Sequence, residues 1–370
     1  MPARGRTDGK RAASGGVVGA ARRCARRPPP VDPASLFPAL ADAPPPSPHS
    51  SAPPPPPSSP HGHHGAPVPP SAPPPHLVER AERELRETDV RRSAGLVDLI
   101  ARQRELAAAA SPPTPGSRFR AALADDPVFL LSFLRVAKFR LPVAAARIDR
   151  FAAFVDVEPW ASLPSVPQLL RVYGHGALGL TATRDRAGRT MVTVSGAKLV
   201  SLLDDAGMGA LKRVGFWAFC ALLRQPEVAI CGVVLVQNMA SAGMGLLRHL
   251  KGPEMSAWWN IAQHVLPLRL RGIYITQQPP YMGIAWAVVR QFLSPKVRGR
   301  VQLLGKDPAA LAKFIDPAQL PVEVGGSLPR DEAYAMQVVV GGMQDTRWMK
   351  LSHDAVSAMK EAGFAKRGGT

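Results

Sequence analysis

Residues 267 to 300, PLRLRGIYITQQPPYMGIAWAVVRQFLSPKVRGR, set a strand-like run, a proline pair and a strongly apolar segment between two groups of arginines, with no acidic residue among them. GIYIT is rich in the branched and aromatic side chains that suit a buried strand. Pro280 fits the first turn of a helix, where its missing N–H breaks no bond. From there Ile284, Ala285, Val288, Val289 and Phe292 fall on one helical face, and Met282, Trp286 and Leu293 carry the apolar surface beyond a single stripe. A buried strut requires apolar faces but no basic frame, whereas a helix that meets a membrane surface uses both. Gly283 and the diproline suit an articulated segment.

The 370-residue chain has 46 Lys and Arg against 28 Asp and Glu, a formal charge of +18, and is 46% hydrophobic. It is long enough for one sizeable core with a helical subdomain. Arg271, Arg290 and Lys296 interrupt its most apolar region, so no uncharged run reaches the roughly 18 residues of a spanning helix, and a soluble protein is expected. Cys24, Cys220 and Cys231 lack paired metal spacing and read as reduced thiols of a cytosolic protein.

The positive balance points to an anionic partner, either nucleic acid or an acidic membrane. Single-strand recognition uses aromatics interleaved with basic residues, and the chain is only 6% aromatic, which argues against nucleic acid. Between Met255 and Lys306 there are seven basic residues and no acidic one. A basic patch beside an apolar helix resembles a membrane-surface device more than a phosphate groove.

Residues 1–75 hold 22 of the 40 prolines and almost no aliphatic periodicity, and are expected to be disordered. Their Arg-rich opening has the composition of a transit peptide but lacks the apolar core of a secretory signal. Helical spacing governs residues 76–173: LVERAERELRETDVRRSAGLVDLIARQREL carries Glu/Arg pairs three and four apart, and DDPVFLLSFLRVAKF offers Asp126 as an N-cap with Pro127 behind it. From 174 to 328 TMVTVSG, ICGVVLVQNM, GIYITQ and RVQLLG recur between helical stretches, the rhythm of a mixed or parallel sheet covered by helices. Residues 329–370 form a carboxyl-terminal extension.

GHGALG at 174–179 has the spacing of a dinucleotide fingerprint but follows a helix and precedes a strand, the reverse of the order that binds pyrophosphate. Its glycines are expected to permit close packing between the lobes. The HGHH run at 61–64 has no carboxylate or cysteine to complete a metal site, and His175, His249 and His264 stand apart with no nucleophile motif beside them. Neither cofactor nor metal is expected. An enzyme would need a nucleophile and a base brought together in a cavity by folding.

Three pieces in this order resemble the CRAL-TRIO lipid-binding family: DDPVFLLSFLRVAKFRLPVAAARI, then VLPLRLRGIYITQQPPYMGIAWAVVRQFLSPKVRGRVQLLG, then IDPAQLPVEVGG. The resemblance covers residues 77 to 328 and is greatest to the α-tocopherol and retinaldehyde carrier branch. It implies an α/β fold in which a mixed, mainly parallel sheet covered by helices follows an all-helical lobe. In this family the segment matching Pro280 to Leu293 is a gate over an apolar cavity, which swings outward at a membrane. The resemblance also puts Arg269, Lys296 and Arg300 at positions of a phosphoinositide-binding cluster, with Arg298 and Arg271 close by; a further basic position is Ala137 here, beside Lys138. Leu268 replaces the acidic residue of phosphatidylinositol-transfer members, implying a smaller hydrophobic ligand. Gln237 or Asn238 stands for the Asp ending the central strand, Met282 for the gate's Phe, and Gln291 for the Pro before Phe292.

On this reading two helices line the cavity, through Phe216, Trp217, Phe219, Cys220 and Leu223 in GFWAFCALL and through Ile284, Ala285, Val288 and Phe292 in the gate. The implied protein is a cytoplasmic carrier, not an enzyme, which holds a tocopherol- or retinoid-like lipid and associates reversibly with endosomal or other acidic membranes. A different class stays open: a lipid-regulated adaptor whose Pro-rich tail docks SH3 or WW domains.

Overall fold

The computed structural model describes residues 73–158, 161–250 and 252–334. The expectations for the Pro-rich tail (disorder, targeting, Cys24, the histidine run, SH3 or WW docking) and for all but the start of the carboxyl-terminal extension lie outside the described residues.

The amino-terminal lobe contains α1 (Pro75–Leu85), α2 (Asp89–Ala108), α3 (Pro115–Ala124), α4 (Pro127–Val136), α5 (Leu141–Val157) and α6 (Val166–Gly174). Starts are set by local chemistry. The Asp126 carboxylate accepts from the Phe129 amide at 3.1 Å with Pro127 at the first turn, and Thr114 and Ser117 form a reciprocal capping box on α3. The apolar faces meet in an aromatic core where Phe119 stacks on Phe151 at 4.5 Å and Phe133 meets Phe151 edge-on at 5.8 Å. Helix α1 leaves this core: Leu77, Ala81 and Leu85 pack on Ile230 and Cys231, far along the chain.

The second lobe holds a five-stranded sheet in the order β1 (Leu178–Arg184), β2 (Thr190–Ser195), β3 (Val233–Asn238), β4 (Leu270–Thr276) and β5 (Val301–Leu303). The first two strands form an antiparallel hairpin and the others run parallel to β2. Side chains alternate across it. Met191, Val234, Val236 and Tyr274 face Leu311, Ile315, Leu320 and Val324 of the following segment. Val192, Leu235, Ile273 and Ile275 point to the opposite side, where the cavity lies. Crossovers are supplied by α7 (Gly196–Leu222), α8 (Pro226–Cys231), α9 (Leu246–His249), α10 (Gly252–Asn260), α11 (Met282–Val289) and α12 (Pro295–Arg298). Helix α7 is broken at Gly207, whose φ of 76° and ψ of 161° turn the chain between two helical halves.

Of the GHGALG glycines, Gly179 makes room for a close contact with the carboxyl-terminal segment. A Cβ on Gly179 would stand 2.1 Å from Cε1 of Tyr334, so the residue makes room for a ring of the carboxyl-terminal segment.

Glu87, between α1 and α2, is 2% exposed and accepts two bonds from Arg135, each 2.9 Å, and one from Arg92 at 2.9 Å. Burial pushes its carboxyl upward, but the hydrogen bonds and charges of Arg135 and then Arg92 bring it below the ordinary value of 4.5. Replacing Glu87 by Ala strands a buried guanidinium and should lower stability by about 3–5 kcal/mol in denaturant titration. Because the folded-state pKa is lowered, the stabilisation is complete above the unfolded value and is lost as pH falls through the folded one. The stability of Glu87→Gln, followed from neutral to acid pH, should lack that component.

Candidate lipid-binding cavity

Between the sheet and helices α7, α9, α10 and α11 lies a cavity of about 260 Å³. The strands contribute Val192, Val194, Leu235, Gln237, Ile273 and Ile275. Helix α7 contributes Leu199 and Leu203 before its break, then Met208, Leu211, Lys212, Gly215 and Phe219 after it. Helix α10 adds Met255, Trp258 and Trp259, and α11 closes the space with Met282, Ala285, Trp286 and Val289. Apart from Lys212, the Gln237 amide and the three indole N–H groups, these side chains are hydrocarbon or thioether, so the chamber suits an apolar guest.

Of the nine cavity residues expected from sequence, Phe219 and Ala285 line the space. Phe216, Trp217, Cys220 and Leu223 are buried on the other side of α7, in the core shared with the helical lobe. There Phe216 lies 4.9 Å from Phe154, and the Trp217 indole donates to the Ser162 carbonyl at 2.9 Å. Ile284 is 62% exposed, while Val288 and Phe292 are half-buried beside the wall without lining it. The physical reason is common to both helices. Each is apolar on more than one face, so a 3.6-residue period fits several stripes; on α7 the inward one is 208/211/212/215/219, and on α11 it is 282/285/286/289, continued by Leu293. Sequence reasoning also missed Lys212, whose signal is a lone cation on that stripe.

Both ends of α11 are tethered by single side chains. The Tyr281 hydroxyl donates to the carbonyls of Ala242 and Gly243 at 2.7 and 2.9 Å. At the other end the Gln263 amide donates to the Phe292 carbonyl at 2.9 Å and accepts from the Ser294 amide at 2.7 Å.

The expected basic cluster divides in two. Arg269 is 8% exposed and pairs with Glu84 of α1 at 3.0 Å; burial and then Arg271 push its pKa down to about 10. Arg271 approaches the same carboxylate at 3.5 Å. Arg300 donates to the Leu270 carbonyl. Lys296 and Arg298 are exposed on α12. Burial, then the charges of Arg300, Lys138, Arg147 and Arg269, hold the Lys296 ammonium below its usual range, so the helical lobe brings positive charge to the same place. Lys138, next to the buried Ala137, is exposed.

A nucleophile and a base do approach each other outside the cavity: Ser201 Oγ lies 3.3 Å from His175 Nε2. Among the described residues His175 Nδ1 is buried with no hydrogen-bond partner. Burial drives the Cys220 thiol well above its normal pKa, away from the reactive thiolate. Among the described residues no group of three or more His, Cys, Asp or Glu could hold a metal ion, and no helix is long and apolar enough to cross a membrane.

Residues 175–326 match the CRAL/TRIO domain. That stretch of the chain is similar to the CRAL/TRIO domain. All of the cavity lining, from Leu178 to Val301, falls within the match. Among curated proteins the chain is similar to Clavesin-2 of Homo sapiens, 27% identical over 222 residues, which are 56% of this chain and 64% of that protein. It is also similar to Clavesin-1 of Rattus norvegicus, 24% identical over 210 residues, 56% of this chain and 59% of the relative. The similarity thus spans less than two thirds of either relative's length. A solved structure with likeness to the chain is the crystal structure of Sfh5, with a TM-score of 0.40 and 11% identity over 54% of this chain and 71% of that one.

The two faces of α11 can be separated experimentally. Ala285→Phe fills the chamber and should reduce retention of a bound lipid at least tenfold. Ile284→Asp lies on the exposed face and should leave both retention and stability within about 0.5 kcal/mol of the parent. Lipid co-purifying with each variant, quantified by mass spectrometry beside thermal midpoints, checks the assignment.

Proposed function

We propose that the protein is a carrier which holds one single-chain hydrophobic lipid, of tocopherol- or retinoid-like size, and exchanges it at anionic membranes by outward movement of α11. The observation that carries this reading is the apolar cavity of about 260 Å³ whose wall on one side is α11 itself. That volume lies near the lower end of the ~300–1,000 Å³ typical of small-molecule sites, and a two-chain phospholipid needs several times more. A guest that loses on the order of 400 Å² of apolar surface gains about 10 kcal/mol before ordering costs. Release is then slow unless the wall opens. The outward face of α11 favours opening at a bilayer, because Ile284 is 62% exposed and Met244, in the loop gripped by Tyr281, is 72% exposed.

The membrane partner is read from charge. Lys138, Lys296 and Arg298 are exposed and, among the described residues, make no ion pair, with Arg300 and Arg271 behind them. Multiply charged phosphoinositide headgroups suit such a cluster, and reversible attachment to endosomal or other acidic membranes from the cytoplasmic side follows from it. Arg269 contributes to the field but serves Glu84 first. No catalytic step is part of this function.

Two measurements test the reading. Changing Lys138, Lys296 and Arg298 together to Ala removes about 3 kcal/mol of attraction, roughly a hundredfold, because each basic residue near an anionic surface adds about 1 kcal/mol. Lipid transfer to phosphoinositide-containing vesicles should slow accordingly at low salt, less so at high salt, and not at all with neutral vesicles. An unchanged rate would remove the membrane step. Tyr281→Phe deletes the bifurcated hydrogen bond that pins the start of α11, worth about 0.5–1.5 kcal/mol. Stopped-flow release of a fluorescent lipid should then be about 2- to 10-fold faster without membranes.

A further inference from the structure

Four thioethers line the chamber, each from a different part of its wall. Met208 follows the break in α7, Met239 follows β3, Met255 belongs to α10 and Met282 to α11. Met239, Met255 and Met282 are buried and Met208 is half-buried, so bulk water has little access to their sulfurs. Two other methionines supply a contrast. Met191 of β2 is as deeply buried but packs with Leu311 and Ile315 on the far side of the sheet, and Met244 is 72% exposed.

For packing alone, leucine would fill these positions with nearly the same volume and a better defined shape. A thioether adds two properties that leucine lacks: a flexible side chain that adapts to a guest, and a soft sulfur lone pair that accepts an oxygen atom to become a sulfoxide. Flexibility accounts for one gap-filler. Four sulfurs around a single guest-sized space also surround that guest with oxidisable groups. A molecule confined to about 260 Å³ is at a local concentration on the order of 1 M or more, roughly a thousandfold above a millimolar oxidant in solution. An oxidant that enters as the guest therefore reaches these sulfurs far more often than one that stays in water.

We propose that the chamber reduces a peroxidised single-chain lipid, with Met208, Met239, Met255 and Met282 as stoichiometric reductants. The sulfur lone pair attacks the terminal oxygen of the hydroperoxide. An S–O bond forms as the O–O bond breaks, and the proton on that oxygen passes to the departing alkoxide. Sulfur loses two electrons and becomes the sulfoxide, the hydroperoxide gains them and becomes the lipid alcohol, and no other reactant is consumed. Each sulfoxide places a polar S–O group in an apolar wall, which weakens retention of a hydrocarbon guest. The oxidised protein therefore empties until its sulfoxides are reduced. The proposal rests on the carrier reading and adds a reaction to it.

The test exposes the full-length protein to methyl linoleate hydroperoxide or to hydrogen peroxide, maps methionine sulfoxide by peptide mass spectrometry and quantifies the lipid alcohol. The lipid hydroperoxide should oxidise the four cavity methionines about tenfold or more faster than Met244, with one alcohol formed per sulfoxide. Hydrogen peroxide should reverse that order, and Met191 should stay reduced with either oxidant. Met208→Leu, Met239→Leu, Met255→Leu and Met282→Leu combined conserve volume, so binding of unoxidised methyl linoleate should stay within about threefold while alcohol formation falls about tenfold or more. Should that variant fail to fold, the order of oxidation in the parent decides. The same order with both oxidants, or alcohol formed without cavity sulfoxide, overturns the reductant assignment. Binding of unoxidised methyl linoleate by the parent then leaves the carrier reading standing, and its failure to bind overturns both.

Discussion

Helix α7 has hydrocarbon on two opposite sides, and a helix of that kind is stable only if both sides are covered. On one side the cover is complete. Phe216, Trp217, Cys220 and Leu223 interlock with the aromatic core of the helical lobe, where rings meet at 4.5 to 5.8 Å. On the other side Met208, Leu211, Gly215 and Phe219 face the sheet across a gap that protein atoms leave unfilled. The helical lobe thus acts as a splint, holding α7 at a distance from the strands so that the chamber does not collapse. Gly207 lets the helix turn at the chamber's edge, so both halves contribute wall.

Helix α11 shares the composition of α7 but not its splint. Its inner face closes the chamber; its outer face, with Ile284, meets solvent. What holds it is sparse: one tyrosine hydroxyl at the start and one glutamine amide at the end. Gln263 is in turn fixed by Arg147 of α5, whose guanidinium donates to the Gln263 and Leu266 carbonyls at 2.9 and 2.6 Å. The helical lobe therefore reaches the end of α11 through two side chains, Arg147 and Gln263.

Positive charge is divided between holding lobes together and remaining available. Arg135 is committed to Glu87 within the helical lobe, Arg269 to Glu84 of α1, and Arg147 of α5 to the backbone carbonyls of Gln263 and Leu266. These buried guanidiniums contribute little to the external field because their partners neutralise or shield them. Lys138, Lys296 and Arg298 remain in water, where their charge acts over about 8 Å at physiological ionic strength.

The sequence by itself determined the layered architecture, because alternation with period two and the capping chemistry at Asp126 and Pro127 are local properties that survive without knowledge of the partner. It also determined that residues 267–300 combine a strand, a break and an apolar helix, since β-branching, diproline and hydrocarbon content are written in neighbouring residues. The rotation of α7 and α11 was decided only in three dimensions. When Leu211, Phe216, Trp217 and Phe219 are all apolar, the free energy of burying one stripe or its neighbour is nearly the same, and the choice falls to whatever packs outside; here that is Phe151 and Phe154, more than fifty residues away in sequence. The role of Arg269 was hidden for the same reason. A basic residue's task depends on which carboxylate folding brings near it, and Glu84 reaches Arg269 only through the tertiary structure.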